Sequence, residues 1–253
     1  MEVHHHPHVE KKSFKEYLLE GLMIFLAVSM GFAAESIRER LVEKEREHQY
    51  IQSLYEDLTA DEKSLERNVA FLNGQIRSAD TLLMTLKKTS LKDTADQIYF
   101  HFRKIIRQTN VATTINDRAY VQMKNSGEMR LIRDKSLSDS ILNYYHNVAG
   151  IDYLQTYSKE YKNKLREIFT ALLNSEDYAK LIDEKDRVIR SATHSYLRST
   201  DSNTINACSM HISDIKGVSL SILGNVNGLQ RRAASLKKYI TDHYEVHQAN
   251  IQE

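Results

Sequence analysis

Proline is almost absent from this 253-residue chain: the single one is Pro7, so proline bars no residue after it from a helix. Tryptophan is missing, and glycine occurs only eight times. The one cysteine, Cys208, excludes an internal disulfide framework and any cysteine-based zinc or iron–sulfur site. Neither sign of charge is in excess, with 35 Lys+Arg against 34 Asp+Glu, which argues against a dedicated nucleic-acid binder.

Sequence motifs of the common catalytic classes are also missing. There is no glycine-rich phosphate loop, no GxSxG elbow and no kinase motif set. A di-iron site in a helical bundle needs two Glu-x-x-His motifs, and only the stretch 45–48 fits that pattern. We therefore expect a protein that is not an enzyme and carries no cofactor.

An apolar stretch near the N-terminus is the clearest functional signal. Residues 17–34 (YLLEGLMIFLAVSMGFAA) contain one charge, Glu20, close to their start. A membrane-crossing helix needs about 20 apolar residues, with a lower limit of roughly 17. Tyr17 suits an anchor at the membrane interface. These features predict a transmembrane helix over 17–35, preceded by a polar tail (1–16) and followed by a soluble domain (36–253).

Three other interpretations fit the same stretch. A signal peptide would be cleaved after Ala33, a core helix would bury the stretch, and an in-plane helix would lie on the membrane surface. The positive-inside rule separates the two orientations poorly, since three basic residues precede the stretch and four follow it: Lys11, Lys12, Lys15, Arg38, Arg40, Lys44 and Arg46. We favour a span in a bacterial inner membrane with the body on the extracytoplasmic side.

Small residues recur one turn apart within the span. Ala27 and Gly31 form one such pair, and Ser29 and Ala33 form another. This spacing lets two helices approach closely, so it predicts a face for association in the membrane.

The remainder of the chain shows helical periodicity and no run typical of a strand. From Ser36 onward we expect one long helix to about Lys88, continuous with the span. Its apolar seam takes alternating steps of three and four from Leu65 onward, as in coiled coils, and comprises Leu65, Val69, Leu72, Ile76, Ala79, Leu83 and Leu86. Further helices are predicted over about 95–108, 137–173, 202–216 and 218–246, and a short one is predicted between a capping box at 114–117 and a stop at 125–127. The expected fold is all-α: a transmembrane helix that continues into an antiparallel bundle of four to five main helices.

Capping signals set the expected helix boundaries. Thr114 to Asp117 resembles a capping box, and so does Ser136 to Asp139. Gly127 suits a left-handed helix end, and Gly217 suggests a break before the last helix. An i, i+4, i+8 tyrosine stripe at Tyr153, Tyr157 and Tyr161 is expected to pack in the core.

Histidines supply the one candidate metal site. His4, His5, His6 and His8 cluster in the N-terminal tail, and clustered imidazoles bind Zn, Cu or Ni. A solvated tail without metal is the alternative interpretation. Cys208 is expected to be a buried small residue, because no base for a nucleophilic thiol is paired with it.

Two stretches resemble a known family. Residues 15–40, followed by 50–58, resemble the N-terminal span and juxtamembrane helix of a family of uncharacterised membrane proteins from Bacteroidota. Residues 119–145 resemble its internal signature, in which a helix ends at Ser-Gly, a Leu-Ile pair follows, and a new helix starts after an Asp. The matching positions are Tyr120, Ser126, Gly127, Leu131, Ile132, Asp134, Leu137, Leu142 and Tyr145. The resemblance implies a single-span helical membrane protein of unknown function, and it supplies no catalytic residues.

These observations predict a non-enzymatic, membrane-anchored helical protein that acts by interaction. Its role would be that of an envelope scaffold, an accessory subunit of a membrane complex, or a self-associating module. Its expected partners are the lipid bilayer and a second copy or another membrane protein, and not nucleic acid. Two alternatives stay open: a sensory ligand-binding bundle that signals through a partner, and a metal-handling protein that uses the tail histidines.

Overall fold

The computed structural model describes residues 13–88, 90–107 and 110–247, and over these residues the chain is helical without a β-strand. The α-helices are α1 (Phe14–Leu86), α2 (Ala95–Ile106), α3 (Arg118–Ser126), α4 (Lys135–Phe169), α5 (Ser175–Ala179) and α6 (Ser202–His243). Short 3-10 helices lie at Lys92–Thr94, Ala112–Thr114 and Glu128–Leu131. Two isolated bridges, Leu173 with Leu197 and Ile182 with Val188, are the only β-type pairings in the described part. The prediction of an all-α fold is confirmed.

The chain divides into two compact units, Met1–Gln49 and Tyr50–Glu253. The described part of the first unit is the N-terminal half of α1, whose side chains are almost all exposed within that unit. The second unit contains the rest of α1 and every other helix.

The second unit is an antiparallel bundle, as its cross-helix contacts show. Lys237 of α6 pairs with Glu62 of α1 at 2.6 Å, and Lys216 pairs with Asp80 at 2.5 Å, so α6 runs opposite to α1. The Tyr144 hydroxyl of α4 donates to Asp61, while the far end of α4 shares a core cluster with the far end of this α1 segment, so α4 runs parallel to it.

Helices α2 and α3 together take the place of the fourth bundle helix. Gln75 of α1 hydrogen-bonds the C-terminal end of α2, and Asp57 hydrogen-bonds the N-terminal end of α3. The pair therefore runs antiparallel to α1, with an interruption between Ile106, where α2 ends, and Arg118, where α3 begins.

Two apolar clusters form the core of the bundle. One is centred on Leu58, Leu65 and Ile141, and the other contains Phe102 and Phe169. Full burial of each large apolar side chain contributes about 1.5–3 kcal/mol.

Helix ends differ from the predicted caps at three places. Thr114 does not begin α3: its hydroxyl donates to the Val111 carbonyl, and Asp117 precedes the helix without a side-chain cap bond. Ser136 does not cap α4 either, because Asp134 does so by accepting from the backbone N–H groups of Ser136 and Leu137. The predicted break at Gly217 is wrong, since α6 runs without interruption from its Asp201 cap. Extensive burial along α6 outweighs the weak helix propensity of glycine there.

The expectation that the tyrosine stripe packs in the core is wrong for two of its three members. Tyr153 is 62% exposed and Tyr157 is 39% exposed. Their hydroxyls lie 2.7 Å apart and their rings meet edge to face on the outer surface of α4. Tyr161 is half-buried against the second core cluster. The buried face of α4 instead uses residues such as Tyr144 and Ile151.

Candidate functional site

The N-terminal half of α1 carries the predicted span. Its large apolar side chains are 48–71% exposed and point in all directions around the helix: Leu22, Met23, Ile24, Phe25, Leu26, Val28, Met30 and Phe32. An 18-residue window of α1 has a mean hydropathy of 1.8, and none of it is buried. By length and composition the helix is able to cross a membrane. Signal sequences and the core helices of soluble proteins meet the same two criteria.

The small residues predicted to form an association face lie in this half of α1. Ala27, Gly31 and Ala33 are exposed, and Ser29 is partly exposed. A Cβ atom added to Gly31 would meet no heavy atom within 4 Å. Contacts within the described chain therefore do not require small side chains at these positions.

A column of buried polar side chains runs along α1 in the second unit. Asp61, Asn68 and Gln75 follow one another at seven-residue intervals, and each is at most 5% exposed. Leu54 and Leu82 extend the column at its two ends and are fully buried. Seven residues are two helical turns, so all five side chains lie on one stripe that faces the bundle interior. We call Asp61, Asn68 and Gln75 the polar column.

Side chains of the polar column form hydrogen bonds with residues at the interruption between α2 and α3. The Gln75 amide donates to the carbonyls of Ile105 (2.7 Å) and Arg107 (3.0 Å). The Asn68 amide donates to the Thr114 hydroxyl at 2.9 Å. Where α2 stops, its last carbonyls lose their intrahelical donors, and an unpaired buried carbonyl costs about 1–3 kcal/mol. The column thus supplies the partners that the missing helical turns would have provided.

Two carboxylates continue this arrangement at the start of α3. Asp61 accepts from the backbone N–H of Asn116 at 2.7 Å, from its side-chain amide at 2.8 Å, and from the Tyr144 hydroxyl at 2.8 Å. One turn earlier on α1, Asp57 accepts from the Ala119 N–H at 3.1 Å and pairs with Arg118 at 3.2 Å. Asp57 therefore caps α3 from a neighbouring helix, which explains why Asp117 makes no cap bond of its own.

Burial dominates the electrostatics of this cluster. It raises the pKa of Asp61 above its ordinary value, although the three hydrogen bonds that Asp61 accepts act in the opposite direction. Burial, together with the neighbouring Asp61 charge, raises the pKa of Tyr144 far above that of a free tyrosine. The Tyr144 hydroxyl therefore keeps its proton and acts as a fixed hydrogen-bond donor.

Lys162 is the second unusual ionisable group of the bundle. It is 3% exposed, and its ammonium donates to the Arg107 carbonyl at 2.9 Å, beside the bond from Gln75. Burial, together with the positive charge of Arg166, lowers the pKa of Lys162 to about 8. A cation at the C-terminal end of α2 complements the helix dipole, so the position is structurally reasonable in spite of its burial.

Other sequence-predicted residues have simpler surroundings. Cys208 is buried, and burial raises the pKa of its thiol to about 12, which keeps it protonated and unreactive. His4, His5, His6 and His8 lie outside the described residues. Within the described ranges, no group of three His, Cys, Asp or Glu side chains is placed to hold a metal ion.

The internal signature residues lie together at the turn from α3 to α4. Helix α3 ends at Ser126, and Gly127 follows with a left-handed φ of 72°. Leu131 and Ile132 are buried, and Asp134 caps α4 while its other oxygen accepts from the Tyr239 hydroxyl of α6. This segment thus reverses the direction of the chain between α3 and α4, and Asp134 connects it to α6.

The polar column, Asp57 and Lys162 were all missed in the sequence. The seam predicted there passes through Val69, Ile76 and Leu83, which the structure leaves half-buried, one position away from the buried column. The signal that was available is the seven-residue recurrence of polar residues beside an apolar column of the same period.

No family model matches the chain, and no curated protein or solved structure matches it either. The residues described above are therefore the only basis for a functional proposal.

Proposed function

We propose that this chain is a non-enzymatic, single-span protein of a bacterial inner membrane whose helical body acts by contact with other proteins. The observation that carries the proposal is the exposed apolar surface of α1 over 17–34. Soluble proteins rarely leave a contiguous apolar surface of this kind in water. A lipid bilayer provides the apolar surroundings that this stretch lacks, and its length matches the lower limit for a span.

Surface chemistry of the body supports action by contact. Tyr153 and Tyr157 form an exposed aromatic pair on α4, and Leu142 on the same helix is 44% exposed. Tyrosine is enriched in protein–protein interfaces because it combines a large apolar area with a polar tip. The small-residue pairs within the span would add a second contact surface inside the membrane.

Membrane insertion is tested by placing charge in the span. Changing Ile24 and Leu26 together to Arg puts two charges near its middle, at a cost of about 2.5–3.5 kcal/mol each. The matched control changes Ile37 and Leu41 to Arg, since both are exposed apolar residues of the same helix beyond the span. After expression in a bacterial host, alkaline carbonate should extract the first variant from membranes but neither the control nor the unchanged chain.

Three further readouts test the absence of cleavage, the orientation of the body and its action by contact. Intact-mass measurement of the membrane-bound chain should show no cleavage after Ala33, and a cleaved product would refute the anchor. Paired reporters fused after Glu253 should signal an extracytoplasmic body, whereas a cytoplasmic signal would reverse the proposed orientation. Chemical cross-linking in the native membrane should recover a homo-oligomer or a defined partner, and a chain that stays monomeric and without a partner would refute action by contact.

A further inference from the structure

A cavity of about 200 Å³ lies between α2, the C-terminal end of α4 and the segment that follows α4. Its inner wall is aromatic. The rings of Phe102 and Phe169 stack with their centroids 4.0 Å apart, and Tyr178 lies 5.9 Å from Phe102 at a tilt of 47°. Leu173 completes the apolar part of the wall. Such a surface favours a flat apolar group over water.

One residue at the rim of the cavity, Arg198, belongs to a long connection without regular structure. Residues 180–201 join α5 to α6 and contain only isolated bridges and turns. Connections longer than about 12–15 residues without helices or strands are uncommon in compact domains, and they are usually functional or disordered. This connection is ordered by specific bonds, which argues for the functional alternative.

Those bonds fix the connection beside the cavity. The Arg198 N–H donates to the Leu172 carbonyl at 2.8 Å, next to the bridge that pairs Leu173 with Leu197. The Tyr99 hydroxyl of α2 donates to the Tyr196 carbonyl at 2.9 Å. Arg198 is thereby held at the rim by its own backbone, without using its side chain.

Charge at the rim has one sign. Arg166 of α4 and Arg198 of the connection both line the cavity, and its lining among the described residues contains no acidic side chain. Arg166 donates to the Asn163 side chain at 2.9 Å. Within the described residues, the guanidinium of Arg198 takes part in no hydrogen bond or ion pair. Guanidinium groups bind carboxylates through paired N–H donors, so this rim favours an organic acid.

We propose that the cavity binds a small organic anion consisting of one flat apolar ring and a carboxylate. The ring would lie against Phe102 and Phe169, and the carboxylate would accept hydrogen bonds from Arg166 and Arg198. A cavity of about 150 Å³ holds benzene, so 200 Å³ matches one ring with a short acidic arm. All the residues concerned lie in the second unit, so this proposal does not depend on the membrane span.

The test uses the full chain in nanodiscs and 4-fluorophenylacetate as the probe, followed by fluorine NMR with empty nanodiscs as the blank. We expect saturable binding at probe concentrations below about 10 mM. The neutral probe 4-fluorophenylacetamide has the same ring without the charge, and its affinity should be at least about fivefold lower. Absence of saturable binding of the acid, or equal affinity for the amide, would overturn the proposal.

Variants locate the binding to this cavity. Arg166→Gln and Arg198→Gln should each weaken binding of the acid by about fivefold, because each removes a charge-assisted donor. Thr170→Trp places a large ring at the cavity lining and should abolish binding, while circular dichroism checks that the helical content is kept. Arg130→Gln removes an exposed arginine elsewhere and should have no effect. If Arg166→Gln, Arg198→Gln and Thr170→Trp all bound the acid as tightly as the unchanged chain, the probe would lie outside this cavity and the proposal would be overturned.

Discussion

Replacing Asp61 with leucine tests the physical role assigned to the polar column. Leu54 and Leu82 occupy equivalent heptad positions of α1 and are fully buried, so leucine is the residue that a simple coiled-coil pattern would favour at position 61. If burial alone determined stability, this substitution would stabilise the bundle by about 2 kcal/mol.

The hydrogen bonds of Asp61 predict the opposite result. The substitution leaves three donors without an acceptor: the Asn116 N–H, the Asn116 side-chain amide and the Tyr144 hydroxyl. Tyr144 is fully buried, so its unmatched hydroxyl costs about 1–3 kcal/mol, whereas Asn116 is an exposed residue and each of its two lost bonds costs about 0.5–1.5 kcal/mol. The sum is roughly 2–6 kcal/mol before the gain from leucine burial. We expect a net loss of roughly 2 kcal/mol, which is a sizeable share of the 5–15 kcal/mol typical of whole domains.

Urea denaturation of the full chain in detergent, followed by circular dichroism, measures this loss. The control is Glu66→Leu on the same helix, where the side chain is exposed, and it should change the free energy of unfolding by less than about 0.5 kcal/mol. Tyr144→Phe removes one of the three donors, so Asp61→Leu should cost about 1–2 kcal/mol less in that background. An unchanged or increased stability of Asp61→Leu, or strict additivity with Tyr144→Phe, would refute the assigned role.

Three further substitutions test other features of the chain. Burial lowers the pKa of Lys162 to about 8, whereas a lysine in the unfolded chain titrates near 10.4, so between these values the unfolded state holds a proton that the folded state has released and stability rises with pH. The stability advantage of Lys162→Met over the unchanged chain should therefore be greatest at pH 7 and should fall by up to about 3 kcal/mol by pH 10. Lys159→Met, at an exposed position, is the control. If the free energy of unfolding of Lys162→Met and of the unchanged chain varied with pH in parallel, the expectation would be contradicted. Gly127→Ala should cost about 1–2 kcal/mol because φ is +72°, while Gly150→Ala, within a helix and with open space around it, should stabilise by up to about 1 kcal/mol in the same urea assay; equal effects would contradict the backbone argument. Gly31→Ile should reduce cross-linking between copies of the chain in the membrane if the small-residue face mediates association, and undiminished cross-linking would exclude that face.

The helical architecture was predictable because few residues oppose it. With proline confined to Pro7, the apolar periodicity alone determines where helices form. The apolar column through Leu65, Leu72 and Ala79 was predicted correctly, and these residues are at most 1% exposed. The second column of buried residues was predicted at the wrong positions. Val69 and Ile76 are more apolar than Asn68 and Gln75, so a hydrophobicity criterion selects Val69 and Ile76, although Asn68 and Gln75 are the buried residues.

The misassignment has a specific physical origin. A helix buries polar residues on its interior face only where partner elements present groups that hydrogen-bond them. Ile105, Arg107 and Thr114 present such groups, but the position of the interruption is a property of α2 and α3 and is not visible in the pattern of α1. The same reasoning applies to the ligand cavity, because Phe102, Arg166 and Arg198 are far apart in sequence and no periodicity relates them.

The polar column and the interruption are therefore mutually dependent. An apolar residue at position 68 or 75 would suit a continuous helix opposite α1, and a continuous helix would leave Asn68 and Gln75 without the acceptors that they use at Thr114, Ile105 and Arg107. The polar residues of α1 and the interruption between α2 and α3 are each unfavourable without the other. The sequence of α1 therefore favours two separate helices, α2 and α3, over one continuous helix. Such a match specifies register, because sliding α1 by one heptad would place Gln75 opposite a fully bonded helical turn.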